Sequence, residues 1–172
     1  IQSRVEDINN IINENKLDNI FESNSSSEKS DIISRKFIDF NKLIHKLNCK
    51  IEYIKSGSSG HIFKGHMDDK NIAIKIVAYS KKGNYGLPSN KDRPENSEIR
   101  ILKLLSNLVI NKETPHIILP ITSIYSSIDS FTGNNIIKSV INENDKKSKE
   151  KISKYEEFVK RYKKGEYHDY CS

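Results

Sequence analysis

Between residues 4 and 21 the apolar positions Val5, Ile8, Ile11, Ile12, Leu17 and Ile20 recur mostly at steps of three and four among charges and asparagines. That spacing predicts an amphipathic helix within residues 1–22. Residues 23–30, with Ser25, Ser26 and Ser27 in a row, read as a flexible linker. Ser30 or Asp31 can cap a second helix over residues 31–48, whose apolar stripe is Ile33, Phe37, Phe40, Ile44 and Leu47. At Cys49 the period changes. Ile51 and Tyr53, then Ile62 and Phe63, then Ile72, Ala73, Ile74, Ile76 and Val77 form three short β-favouring runs. Ser56, Gly57, Ser58, Ser59 and Gly60 separate the first two, and Met67, Asp68, Asp69, Lys70 and Asn71 the second and third. Both separators carry turn chemistry, which predicts a three-stranded antiparallel meander.

A polar loop with Gly83, Gly86, Pro88 and Pro94 follows, then a helix over residues 95–108, in which Ile99, Leu102, Leu105 and Leu108 step by three while Ile101 and Leu104 widen the stripe. Pro94 suits the first turn of that helix. Thr114 and Pro115 break the pattern, and residues 117–125 read as a fourth strand. Thr132, Gly133, Asn134 and Asn135 form a turn signal before a candidate fifth strand, residues 136–141. Residues 142–151 are charged and polar. Ile152, Tyr155, Phe158, Val159 and Tyr162 then mark a basic amphipathic helix ending before Gly165. Its basic outer face could meet nucleic acid or an anionic surface; packing with that face to solvent is the simpler reading. No internal repeat is evident. The fold class expected is α+β: a twisted, mostly antiparallel sheet of about five strands, the 95–108 helix packed across it, and helical extensions at both ends.

Composition changes this picture in two ways. Hydrophobic residues make up 35% of the 172 positions, which supports one modest core. No apolar run is long enough to span a bilayer, and the two cysteines, Cys49 and Cys171, suit a reducing compartment, so a soluble intracellular chain without membrane contact is expected. The 27 Ile, 18 Asn and 24 Lys all have AT-rich codons, which discounts the net charge of +6 as a sign of nucleic-acid binding. The lysines are also spread along the chain without a cluster. The five histidines and two cysteines show no zinc-type spacing, so solvated or partly buried histidines and no metal site are expected.

The order strand, glycine turn, strand, turn, strand with an inner lysine, helix with an inner glutamate has a physical logic. A tight glycine turn lets backbone N–H groups approach phosphates with no Cβ in the way. Lys75, on the third strand of the same meander, can reach phosphate oxygens beneath that turn, and the flanking Ile72, Ile74, Ile76 and Val77 suggest a buried run where an unpaired lysine would be costly. A long lysine stem needs a partner to fix it. Glu98 fits the spacing of Ile99 and Leu102 best, with Glu95 as competitor.

These residues resemble the amino-terminal lobe of eukaryotic-type protein kinases over about residues 50–125. The segment from Ile54 to Gly65 resembles the glycine-rich loop G-x-G-x-x-G-x-V, with Gly57 and Gly60 as its second and third glycines, Lys55 at the first, and Ile62 at the Val position over the adenine. Ile72-Ala73-Ile74-Lys75 is similar to V-A-I-K, Glu98 to the helix glutamate, and Thr114-Pro115-His116-Ile117-Ile118 to the H-P-N-I entry to the fourth strand. The resemblance implies an ATP-binding lobe of a serine/threonine kinase whose nucleotide contacts are Ile54, Lys55, Ser56, Gly57, Ser58, Ser59, Gly60, Ile62, Ala73, Lys75 and Glu98. It implies ATP and a protein substrate as partners. The chain has no H-R-D-x-x-x-x-N loop, no D-F-G and no A-P-E, and His168-Asp169-Tyr170 is no substitute, because no Asn follows. The proton-accepting Asp and the Mg2+ ligands are therefore expected in a carboxy-terminal lobe of the same polypeptide, and the chain alone should be inactive. With Ile1 in place of an initiator Met, a piece of a longer protein is expected, residues 126–172 being an insertion leading toward a fifth strand. The Asn, Ile and Lys bias and the long inserts are similar in style to kinases of large DNA viruses, which would place the protein in the cytoplasm, a viral factory or a virion. Two other classes remain: a non-catalytic lobe that acts as an interaction or regulatory module, and a basic nucleic-acid-binding protein.

Overall fold

The computed structural model describes residues 2–17, 35–58, 60–133 and 149–172. The linker at 23–30 and the candidate strand at 136–141 lie outside the described residues. The chain forms two compact units, one from residues 1–36 and 85–124, the other from residues 37–84 and 125–172.

In the first unit, helix α1 (Gln2–Asn15) buries Ile11 and Ile12, with Leu17 just beyond its end. Arg4, one helical repeat of seven before Ile11, donates to the carbonyl oxygens of Pro115 (2.6 Å) and Ile117 (3.1 Å). Helix α3 (Pro94–Ile110; α2, Phe40–Lys46, belongs to the second unit) starts at Pro94, whose missing N–H costs nothing in a first turn. Arg93, 2% exposed, precedes it and donates to the carbonyl oxygens of Leu87 (3.2 Å) and Gly86 (2.9 Å) and to Glu95 Oε1 (3.1 Å). Asn96 Nδ2 donates to the carbonyl oxygens of Pro88 (2.7 Å) and Asn90 (2.9 Å). The polar loop is thereby tied to the head of the helix. Residues 117–124 form no strand, contrary to the sequence reading. Pro120 removes a ladder donor and biases Leu119.

In the second unit, helix α2 (Phe40–Lys46) is capped by Asp39, whose Oδ1 accepts from the backbone N–H of Asn41 (3.0 Å) and Lys42 (3.2 Å). The helix expected over 31–48 is thus shortened: residues 35–39 are not helical. Phe37 instead makes a parallel bridge to Tyr125, and Ile38 N–H donates to the Tyr125 carbonyl (2.8 Å). Strands β1 (Lys50–Gly57), β2 (Gly60–Met67) and β3 (Lys70–Ile76) form the expected antiparallel meander in the order β1-β2-β3. One residue later β4 (Ala78–Ser80) enters a second antiparallel sheet with β5 (Ser126–Ser127) and β6 (Tyr167–Cys171), in the order β4-β6-β5. Reciprocal backbone hydrogen bonds between Val77 and Ser172, 2.7 and 2.9 Å, extend the β4–β6 pairing.

Two further elements differ from the sequence reading. Residues 128–132, to which the sequence reading gives no element beyond a turn signal starting at Thr132, form a short helix, α4 (Ile128–Thr132), with Ser127 at its N-cap. The tail expected to lead toward a fifth strand is itself a strand, β6. Helix α5 (Lys149–Lys163) buries Ile152, Tyr155 and Phe158 of the apolar stripe expected of it, while Val159 and Tyr162 are half-buried. The core of this unit is aromatic: Phe131 lies 5.8 Å from Phe40, 6.0 Å from Phe63 and 6.1 Å from Tyr155, ring centre to ring centre, in edge-to-face geometry. Among the described residues no helix is long and apolar enough to cross a membrane.

Candidate functional site

The β1–β2 hairpin ends in a two-residue tip between Gly57 and Gly60, which pair across the turn. Moving down the ladder, Ser56 opposes His61 and Lys55 opposes Ile62; Ile62 opposes Lys75 on β3, and Lys64 opposes Ala73. Residues directly opposite each other share a face, and alternate residues on a strand do too. Gly57, Gly60, Lys55, Ile62, Ala73 and Lys75 therefore lie on one face of the meander. Lys55 and Ala73 are exposed there, and Ile62 and Lys75 are half-buried. The same face carries Lys64 and Glu52, opposed to each other, so its charge near the turn is positive.

Ile54 falls in a register shift between Tyr53 and Lys55. This bulge puts Lys55, not Ile54, opposite Ile62, and a strict two-residue alternation would have placed Lys55 on the wrong face. Ser56 points to the other, buried face at 5% exposure. Ser58 is exposed at the tip, and Ser59 lies outside the described residues. The apolar run around Lys75 is less enclosed than expected: Ile76 is buried, but Ile72 and Ile74 are only half-buried. Glu98 sits exposed in the second turn of α3, in the first unit. Glu95, its competitor, is engaged by Arg93.

Gly60 is required by geometry. Its φ is +138°, and a Cβ there would collide with the Ile76 carbonyl oxygen of β3. Gly57 has nothing within 4 Å of where a Cβ would lie. The turn thus rests directly on β3 at one end and is open at the other. Gly60→Ala should cost about 2 kcal/mol of stability through strain and displacement of β3, whereas Gly57→Ala should leave stability within about 0.5 kcal/mol, as at an open surface position. Thermal or denaturant unfolding of both variants checks this. Equal effects would contradict the close approach.

Behind the face lies a buried polar set that the sequence reading passed over. Tyr53 Oη donates to Ser56 Oγ at 2.9 Å, and Ser56 Oγ is 2.7 Å from His61 Nδ1. His61 is 4% exposed, and its ring lies 4.4 Å from that of Phe158, 5.5 Å from that of Tyr155 and 5.7 Å from that of Phe131. Burial among these rings pushes its pKa down to about 4. Burial also raises the Tyr53 hydroxyl, with the Ser56 bond acting against it. The available sequence signal was His61 at an inward position beside Phe63 on an alternating strand. Among the described residues no group of three His, Cys, Asp or Glu side chains could hold a metal ion.

Compared with known proteins, the chain is 40% identical over 143 residues, 81% of its length, to a protein of Acanthamoeba polyphaga mimivirus named as a putative serine/threonine-protein kinase. It spans 29% of the length of that relative. No protein-family model matches the chain, and no solved structure does.

Proposed function

We propose that this chain is the ATP-binding amino-terminal lobe of a serine/threonine protein kinase. The observation that carries the reading is the strand register: it collects the glycine turn, Ile62, Ala73, Lys55 and Lys75, chosen from sequence by resemblance, on one open and positively charged face. The relation to a viral protein that bears a kinase name supports the same reading.

The residues fit a nucleotide. The N–H groups of the turn at Gly57, Ser58, Ser59 and Gly60 would cover phosphate oxygens, which a Gly60 side chain would prevent by forcing the turn off β3. Lys75 would meet the α and β phosphates as a point charge, Lys55 would add a second positive charge across Ile62, and Ile62 with Ala73 would flank the base. Glu98 takes the role of orienting Lys75 on the strength of the sequence resemblance alone. ATP would supply the transferred phosphoryl group. The proton-accepting Asp and the Mg2+ ligands have no counterpart motif in this chain, so transfer to a protein substrate belongs to the full-length protein with its carboxy-terminal lobe.

Titration of the full-length protein with a fluorescent ATP analogue tests the reading. Lys75→Met should weaken binding by about tenfold or more, the equivalent of about 1.4 kcal/mol. Equal affinity and equal phosphoryl transfer in the two proteins would reject the assignment of Lys75.

A further inference from the structure

The turn between Gly57 and Gly60 is open at its Gly57 end and stands at the tip of a hairpin, where fraying is easiest. The cross-strand pair just before it is Ser56 and His61. Their side chains lie on the face away from Lys75, 5% and 4% exposed, and are joined by the 2.7 Å contact. Ser56 Oγ accepts from the Tyr53 hydroxyl, which leaves its own single proton free to be donated to His61 Nδ1, 2.7 Å away. In that arrangement His61 carries its ring proton on Nε2. On its other side the imidazole is held by the rings of Phe131, Tyr155 and Phe158, all from the segment after Ser126, whose role no sequence motif discloses. A phenylalanine at position 61 would pack against the same rings without burying a polar network, which is tolerated only when fully paired. What the hydrogen-bonded set adds is a fixed distance between β1 and β2 one residue from the turn.

We infer that Tyr53, Ser56 and His61 form a staple that positions the glycine turn for phosphate, and that α4 and α5 back it through the rings around His61. These are positioning residues: they act through the turn and touch no ligand. The inference deepens the proposed function and rests on it.

Two measurements on the full-length protein test it: amide hydrogen exchange at Gly57, Ser58 and Gly60, and affinity for a fluorescent ATP analogue. Ser56→Ala should speed exchange at these amides and weaken the analogue, each by about tenfold, the size of one lost hydrogen bond. Ser56→Thr, which keeps the hydroxyl, should restore both. Unchanged exchange in Ser56→Ala, or no rescue by Thr, overturns the staple. Should Ser56→Ala not fold, the imidazole nitrogen spectrum of the unsubstituted protein decides: His61 protonated on Nε2 is expected, and the Nδ1–H tautomer overturns the inference. If the unsubstituted protein binds no nucleotide, or Lys75→Met binds it equally well, the proposed function fails while exchange still judges the staple. Binding that needs Lys75 but not the Ser56 hydroxyl overturns the phosphate-positioning role alone.

Discussion

Phe131→Ala is expected to cost about 4 kcal/mol of stability, near the top of the range for a buried aromatic ring, because the removed ring is fully enclosed. Phe131 is 0% exposed, and its ring meets those of Phe40 from α2, Phe63 from β2, His61 from β2 and Tyr155 from α5. Elements far apart in sequence thus share one side chain, so the surroundings cannot collapse into the void without moving the sheet or both helices. The unfolding midpoint should fall by roughly 12 °C, taking about 3 °C per kcal/mol for a chain of this size. Near-ultraviolet circular dichroism during a thermal ramp reads this out, since the aromatic rings of the cluster lose their fixed surroundings together. A loss under about 1 kcal/mol would mean that the ring is not enclosed as described.

The second large effect is acid sensitivity from His61. Its folded pKa of about 4 lies below the ordinary value of 6.5, so between those two pH values the unfolded chain holds a proton that the folded chain does not. The contribution is therefore fully present above pH 6.5 and is lost as pH falls toward 4, amounting to about 3 kcal/mol at 1.4 kcal/mol per pH unit. Asp39 and Glu166 behave as depressed carboxylates, Asp39 mainly through the Ser130 hydroxyl bond and Glu166 mainly through Arg161. Their stabilisation is lost below the ordinary carboxylate range, under the His61 window. His61→Gln offers an amide oxygen to Ser56 and cannot take up a proton in this range. Denaturant unfolding at several pH values from about 7 to about 4.5 should show a steep slope in the natural protein and a shallower one in His61→Gln. Equal slopes would sink the assignment of a buried neutral imidazole.

The two glycine- and aspartate-bearing turns that define the meander act locally, within a few residues, so Ser56 to Gly60 and Met67 to Asn71 announce the hairpins directly. The shared face of Ile62, Ala73 and Lys75 follows from alternation along β2 and β3. Lys55 joins that face only because of the bulge at Ile54, which no period in the sequence reveals. The helix stripe of Ile33, Phe37, Phe40, Ile44 and Leu47 holds at Phe40 and Ile44 but misleads at Phe37, because two competing interactions prevail there: Asp39 caps a later start, and Phe37 and Ile38 pair with Tyr125. The run Ile117 to Ile121 resembles a strand by hydrophobicity, but Pro120 lies inside it. Helix α4 is legible in principle, since Ser127 precedes Ile128 with Asp129 in the first turn and Gly133 after the end; the turn signal at Gly133 masks it. Strand β6 is not legible. Its apolar content is low, and its partners β4 and β5 lie distant in sequence. His61 escapes notice because burial of a histidine depends on which rings the tertiary fold brings over it.

The pairing of β4 with β6 sets the order in which the fold can form. Tyr79 and Ser172, joined by a 2.9 Å hydrogen bond, are 93 residues apart, and Ser130 reaches Asp39 across 91. The three-stranded meander closes only short turns, whereas the second sheet must bear the entropy of a long loop before any of its contacts form. On the ribosome, at roughly 5 to 20 residues per second, the aromatic face of the meander therefore waits on the order of ten seconds for α4, α5 and β6 to be made. Tyr53, Phe63 and Ile76 stay uncovered in that interval, and a nascent chain stalled near residue 125 would be a ready client for chaperones and a seed for aggregation.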